Sequence, residues 1–133
     1  MIGIDTNILV RYLTQDDIEQ AKIAEALLDK YLAKPKSIFI NNIVLCELIW
    51  VLDRGYKYSK DQIVEVVRHI LSTEEFTFEN QKVLWLALEQ FEKKRLDFSD
   101  ALIGQINKNY NCESTFTFDK AALEENSTYF AKA

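Results

Sequence analysis

Residues that break regular structure are scarce in this sequence. The chain has 1 proline and 3 glycines among 133 residues, while 48% of its residues are hydrophobic and 28% are charged. That composition excludes the class of disordered, low-complexity chains. Because a chain of this length buries about two-thirds of the surface that it exposes when unfolded, we expect one compact domain over residues 1–133.

The sequence also has few cysteines, no long apolar run and fewer basic than acidic residues. Cys46 and Cys112 form no C-x-x-C pair, which excludes a disulfide framework or a cysteine-based zinc site, and both are expected to be buried thiols. No apolar run approaches the roughly 20 residues that span a bilayer. The first residues lack the features of a secretory signal, so we expect a cytoplasmic protein.

A net charge of -5 argues against a nucleic-acid-binding protein of the kind that uses a broad basic surface. It is compatible with a nucleic-acid enzyme whose acidic side chains bind a metal ion. Lys93-Lys94-Arg95 is the one dense basic cluster; it fits a charge cap at a helix C-terminus or an RNA-contact patch.

Alternating apolar segments predict an α/β protein. The residues from Ile2 to Ile4, ending in Asp5-Thr6-Asn7 and followed by Ile8-Leu9-Val10, predict a buried first strand. Further strands are predicted at 37–40, 76–78 and 114–118. Helices are predicted from Asp16 or Asp17 to about 32, from Asn41 or Asn42 to 55, and over 59–71, 80–95, 97–110 and a short segment from 120, followed by a tail. This alternation predicts a three-layer α/β fold with a mostly parallel central sheet flanked by helices.

The helix after Asn41 or Asn42 is apolar almost all round, and we therefore expect it to be deeply buried. Glu47 is the exception within it, since an apolar helix gains nothing from a buried, unpaired carboxylate. Its structural explanation is a salt bridge with Arg11 or Arg54.

Four carboxylates are predicted to lie at one edge of the sheet. Asp5 and Asp119 end predicted strands, and Glu47 and Asp100 are expected in the first turns of helices that follow loops. In a parallel sheet these positions share one edge, so the four side chains can converge. Each close pair of carboxylates repels by roughly 3 kcal/mol at an effective dielectric constant near 20. A divalent cation among them relieves that repulsion, and a set of oxygen ligands favours Mg²⁺ or Mn²⁺.

Three of these acids also have a purely structural interpretation. Asp5 can cap a first helical turn. Asp100 can be the third residue of a helix that Asp97 caps. Asp119 can be a turn residue after its strand.

The four acids occur in successive motifs, namely Ile4-Asp5-Thr6-Asn7, Val44-Leu45-Cys46-Glu47-Leu48, Asp97-Phe98-Ser99-Asp100-Ala101-Leu102-Ile103 and Thr117-Phe118-Asp119. These motifs resemble the acidic motifs of the PIN-domain ribonucleases in their order. Within that superfamily the chain is most similar to the VapC toxins of bacterial toxin-antitoxin pairs. The resemblance covers nearly the whole chain, including the length and order of its elements.

The resemblance implies a Mg²⁺-dependent endoribonuclease that is neutralised by a VapB-type antitoxin and is usually a homodimer. By position, Asp5, Glu47, Asp100 and Asp119 are the implied catalytic and metal-binding acids, with Asn7, Thr117 and Asp97 as supporting residues. Asn7 and Thr117 match polar positions that hydrogen-bond to those acids. Asp97 either caps its helix, which we favour, or is an additional outer acid.

Such a site hydrolyses RNA with a metal-activated water and leaves 5′-phosphate and 3′-hydroxyl ends. The identity of the general base, Glu47 or Asp119, stays open, as does the number of metal ions. The antitoxin is expected to lay an amphipathic or extended segment across the acidic pocket and to insert a basic side chain.

Two other functions are alternatives. A HAD-like phosphatase needs a second aspartate two residues after its nucleophile, and that position is Asn7 here. A catalytically inert PIN-fold binding module would be marked by the replacement of one or more of the four acids, and none is replaced.

Overall fold

The computed structural model describes residues 1–124 and 129–133. Along them the chain forms, in order, β1 (Ile2–Gly3), α1 (Thr6–Thr14), α2 (Ile18–Asp29), β2 (Ile38–Ile40), α3 (Asn42–Arg54), α4 (Lys60–Leu71), β3 (Phe76–Phe78), α5 (Gln81–Lys93), α6 (Phe98–Asn109), β4 (Thr115–Thr117), α7 (Lys120–Glu124) and β5 (Phe130–Lys132). It divides into two compact units, an N-terminal unit (Met1–Glu79) and a C-terminal unit (Asn80–Ala133). The single domain over residues 1–133 stays a prediction.

The N-terminal unit contains a three-stranded parallel sheet with the strand order β1-β2-β3. Ile2 is in register with Ile38, and Ile38 with Phe76. Because parallel strands point the same way, the residues that follow them lie at one edge. A 2.6 Å hydrogen bond from the Asn42 amide to Glu79 Oε2 joins the segments that follow β2 and β3 at this edge.

β1 is shorter and less buried than the predicted first strand. Ile2 is half-buried and Gly3 is exposed, and the first buried side chain is that of Ile4. The chain then enters α1, a helix that the sequence pattern did not predict beyond the alternative that Asp5 caps a helical turn. The Asp5 side chain does cap it, accepting a hydrogen bond from the Ile8 amide.

The other helices of this unit begin where their capping residues predicted. Asp17 caps α2, which ends at Asp29 rather than near residue 32. Asn41 caps α3, and Ser59 and Gln62 form the predicted capping box of α4. Side-chain capping fixes these helix starts because it satisfies amides that have no partner within the helix.

The expectation that α3 is buried all round is wrong. One face of the helix is buried, through Val44, Leu45, Leu48, Ile49 and Leu52. Ile43, Glu47 and Trp50 are exposed. These three positions recur at the spacing of one helical face, so that face lies in contact with solvent.

In the C-terminal unit, α5 and α6 pack on each other, and the rings of Phe91 and Phe98 meet edge to face with their centres 6.2 Å apart. β4 pairs in parallel with β5, a strand where only a tail was expected. Gly104 of α6 makes room for it, since a Cβ there would lie 2.8 Å from the Phe130 ring.

The α/β class and the parallel pairing of the strands are confirmed. The expectation of buried thiols is wrong, because Cys112 is exposed and Cys46 is only half-buried. No helix in the described ranges is long and apolar enough to cross a bilayer.

Candidate functional site

The N-terminal unit places Asp5 at the junction of strand and helix. Asp5 has extended backbone angles, and its Oδ1 accepts a 3.1 Å hydrogen bond from the Ile8 amide in the first turn of α1. The side-chain oxygen of a capping residue accepts a hydrogen bond from an amide that has no partner within the helix, so the Asp5 carboxylate is held in a fixed orientation. Asp5 is exposed, which leaves the carboxylate accessible to a ligand as well.

Glu47 lies on the exposed face of α3, and its Oε1 accepts a 2.8 Å hydrogen bond from Thr6 Oγ1. The structure does not contain the predicted alternative, a salt bridge from Arg11 or Arg54 to Glu47. Arg11 contacts Asp16 at 3.2 Å and Arg54 contacts Asp53 at 3.7 Å. Glu47 is therefore an accessible carboxylate that a neutral hydroxyl orients, rather than one half of a buried ion pair.

A cavity of about 530 Å³ opens beside these two acids. The described residues that line it include no basic side chain; they are Asp5, Thr6, Asn7, Cys46, Glu47, Trp50 and Val51. The predicted supporting residue Asn7 is thus at the cavity, although no hydrogen bond from its side chain to either acid is present in this unit. With two carboxylates and no basic group, the cavity suits a cation.

In the C-terminal unit, Asp97 and Asp100 lie at the start of α6. Asp97 occupies the N-cap position as expected, but its side chain makes no capping hydrogen bond, so the favoured capping role for Asp97 is wrong. Asp97 is exposed, and Asp100, one turn further on, is partly buried. The Asp97 carboxylate instead acts on Asp100 through its charge.

Asp119 follows β4 and is held by two hydrogen bonds. Its amide donates to Thr117 Oγ1 at 2.9 Å, and its Oδ1 accepts from the Ala121 amide, also at 2.9 Å. The Thr117 hydroxyl therefore contacts the backbone amide of Asp119. Asp119 is therefore a turn residue, as its structural interpretation predicts, and its carboxylate is nevertheless exposed.

The pKa of the Asp100 carboxyl is strongly raised. Burial, a side-chain hydrogen bond with Asp119 and the negative charges of Asp119 and Asp97 raise its pKa from 3.8 to about 6. Two adjacent carboxyl groups resist losing both protons because the second negative charge is added beside the first. A bound cation removes the same repulsion, so this pair also fits a metal ligand set.

The donor chemistry fits Mg²⁺ or Mn²⁺ in both units, since every candidate ligand is a carboxylate oxygen. Within either unit by itself, the described residues contain no group of three or more His, Cys, Asp or Glu side chains that could hold a metal ion. The convergence of all four acids stays a prediction.

Two residues at the cavity were not identified as functional from the sequence. Thr6 lies between two predicted site residues, but nothing in the sequence shows that its hydroxyl reaches Glu47. Trp50 was expected to be buried and is 63% exposed. Its position three residues after Glu47 could have identified it, because this spacing places the two side chains on one helical face.

Comparison with known proteins identifies the family of this chain. The PIN domain family model matches residues 2–126. The chain is also 29% identical over 99 residues to the VapC ribonuclease of Aquifex aeolicus (strain VF5), an alignment that covers 74% of this chain and 73% of that protein. Since the family model spans most of the sequence, this chain belongs to the PIN-domain family.

Proposed function

We propose that this protein is a metal-dependent endoribonuclease of the VapC toxin type. The observation that carries the proposal is the pair Asp100 and Asp119, two carboxyl groups in contact at the start of one helix and the end of one strand. A fold gains no stability from two adjacent carboxylates, whereas a metal site requires them. Membership of the PIN-domain family and the similarity to a VapC ribonuclease support RNA as the substrate.

Asp5, Glu47, Asp100 and Asp119 are the proposed ligands of Mg²⁺ or Mn²⁺. When bound, such an ion supplies positive charge that offsets the charge of the RNA phosphate and lowers the pKa of a nearby water. Asn7, Thr117 and Asp97 are the proposed supporting residues, with Asp97 as an outer acid.

The chain's own groups fix these acids in position. The Ile8 amide holds Asp5, the Thr6 hydroxyl holds Glu47, and the Ala121 amide holds Asp119. Such contacts reduce the number of orientations that each carboxylate samples, which strengthens the binding of a cation.

In the proposed reaction, water attacks the phosphorus and the bond to the 3′ oxygen breaks. Glu47 or Asp119 accepts the proton of the water, and the departing 3′ oxygen takes a proton from solvent water. The products carry a 5′-phosphate and a 3′-hydroxyl. No 2′-hydroxyl of the RNA takes part in this reaction.

A cognate VapB-type antitoxin is the proposed inhibitor, and the protein is proposed to act in the cytoplasm as a homodimer. The net charge of -5 and the cavity without basic side chains favour an antitoxin segment with a basic side chain. Size-exclusion chromatography with light scattering measures the oligomeric state, and a monomer at micromolar concentration would contradict the homodimer.

The test of the proposed activity is cleavage of structured RNAs by the purified protein with Mg²⁺ and with EDTA. Asp5→Asn and Asp100→Asn are expected to abolish cleavage. Asp29→Asn is the matched control. Asp29 is an exposed acid at the end of α2 and does not line the cavity beside Asp5 and Glu47. Mapping the RNA ends should find 5′-phosphates.

Cleavage that persists in EDTA or in both variants contradicts the metal-dependent mechanism. A protein that cleaves no RNA but whose thermal stability rises with Mg²⁺ would instead be a metal-binding module without nuclease activity. Hydrolysis of a simple phosphate monoester without RNA cleavage would favour a HAD-like phosphatase.

A further inference from the structure

Trp50 lies at the acidic cavity of the N-terminal unit and is not used by the proposed chemistry. Its side chain is 63% exposed and lines the same cavity as Asp5 and Glu47. It follows Glu47 by three residues on α3, and residues at this spacing are neighbours on a helix surface. A large aromatic ring is therefore held open to solvent directly beside a proposed catalytic acid.

The residues that line the cavity limit the kinds of contact that RNA can make there. Its described lining includes two carboxylates and no basic side chain, so no side chain there can form an ion pair with a phosphate group. Stacking of a base on an aromatic face needs no opposite charge, and it is a common way for proteins to hold unpaired nucleic acid. Among the lining residues, Trp50 is the one with an aromatic face to offer.

We propose that Trp50 is a stacking platform for an unpaired base of the RNA substrate. The inference rests on the proposed function and narrows it to RNA that is single-stranded at the cleavage site. Trp50 holds the base beside Asp5 and Glu47, which are among the proposed ligands of the metal ion. Because every base has an aromatic face, Trp50 sets the requirement for an unpaired base rather than for one base in particular.

This role predicts an unusual response to salt. Contacts between basic side chains and phosphates weaken steeply as the salt concentration rises. Stacking on Trp50 involves no charged protein group, so the ratio of the affinities of wild type and a Trp50 variant should stay constant across salt concentrations.

The direct test uses the fluorescence of Trp50. The chain has 2 tryptophans, so Trp85→Phe leaves Trp50 as the only one. Adding Asp100→Asn prevents cleavage during the titration. The probes are a single-stranded oligoadenylate 10-mer and an abasic 10-mer with the same phosphates but no bases, both titrated in the presence of Mg²⁺. The oligoadenylate should quench the fluorescence in a saturable way, and the abasic strand should not.

A second measurement compares the binding of a labelled oligoadenylate 10-mer by variants that carry Asp100→Asn. RNA cleavage by the same variants is measured in protein that retains Asp100. Trp50→Leu should weaken binding and raise KM on the order of tenfold, and Trp50→Phe should restore part of the loss. Ile43→Ala is the matched control, since Ile43 is 70% exposed on the same helical face but does not line the cavity. Its binding and cleavage should equal those of the parent.

Equal quenching by both strands, no quenching by oligoadenylate, or unchanged binding by Trp50→Leu would each overturn the stacking role. These results can be distinguished from a failure of the proposed nuclease function. If the wild type cleaves RNA and Trp50→Leu cleaves it with the same KM, the inference fails and the proposed function stands. If the wild type cleaves nothing, the proposed function fails and the quenching titration decides on its own whether Trp50 binds unpaired bases.

Discussion

Thr6 Oγ1 donates a 2.8 Å hydrogen bond to Glu47 Oε1 across 41 positions of sequence. Thr6 is the first residue of α1 and Glu47 lies in the middle of α3, so the contact ties the segment after β1 to a helix that follows β2. Glu47 is exposed, and a solvent-exposed glutamate otherwise samples many side-chain orientations. The hydroxyl of Thr6 therefore selects one orientation of this proposed metal ligand.

Thr6→Val keeps the shape of the side chain and removes the hydroxyl. We expect Mg²⁺-dependent cleavage to fall by about 10- to 100-fold, the range found when a group that orients a metal ligand is lost. The measurement is kcat/KM as a function of Mg²⁺ concentration. Thr6→Ser retains the hydroxyl and should stay within a few-fold of wild type. An equal loss in Thr6→Ser would contradict this role of the hydrogen bond, because that variant retains the hydroxyl.

Two substitutions at Asp5 separate its structural role from its proposed chemical one. Asp5→Ala removes the acceptor that caps α1 and should lower the free energy of unfolding by about 1 kcal/mol, whereas Asp5→Asn keeps a capping oxygen and should leave it nearly unchanged. Both should abolish cleavage. Thermal unfolding and RNA cleavage on the same preparations provide the test, and an Asp5→Asn protein with normal activity would reduce Asp5 to a capping residue.

The helix starts were predictable because their causes are local. Asn41 and the Ser59 to Gln62 box satisfy helix amides within three residues of themselves, and the structure contains both caps. α1 was missed because its residues include the β-branched Ile8 and Val10, whose intrinsic preference is for strands. Capping by Asp5 and the burial of Leu9 and Val10 prevail over that preference.

Burial was less predictable than helix position. The composition of α3 suggested a helix buried on every side, yet Ile43 and Trp50 are exposed, because a sequence does not show which faces of a helix have neighbours. β5 was missed for a related reason, since pairing with β4 is a contact between distant residues. The acids themselves could be selected from their motifs, but the contact of Thr6 with Glu47 needed coordinates.

Asp100 should make the stability of the metal-free protein depend on pH. Its pKa is raised to about 6 from 3.8, so the folded state binds this proton more tightly than the unfolded state does. Its contribution to stability is therefore fully present below 3.8 and is lost as the pH rises through about 6. Other carboxylates have their own dependence on pH, so the measured quantity is the difference in Tm between wild type and Asp100→Asn in EDTA.

Asparagine cannot ionise and can still donate a hydrogen bond to Asp119. Asp100→Asn should therefore be more stable than wild type above about pH 6, by on the order of a few °C in Tm, while it loses the nuclease activity. The advantage should shrink as the pH falls toward 3.8, the ordinary pKa of the group. A variant that is less stable than wild type at neutral pH would show that the Asp100 carboxylate is not under repulsion in the folded protein.

Mg²⁺ should stabilise the folded protein, because the proposed ligands come together only on folding. At a concentration of one hundred times its Kd, a ligand that binds the folded state alone adds about 2.7 kcal/mol to the free energy of unfolding. Asp29→Asn should keep the resulting rise in Tm, and Asp100→Asn should lose most of it. Since protons compete with the metal for Asp100, the rise in wild type should also decline as the pH falls below about 6. A sodium salt of matched ionic strength separates binding from general screening, and an equal rise in Tm with either salt would show that Mg²⁺ is not bound at these acids.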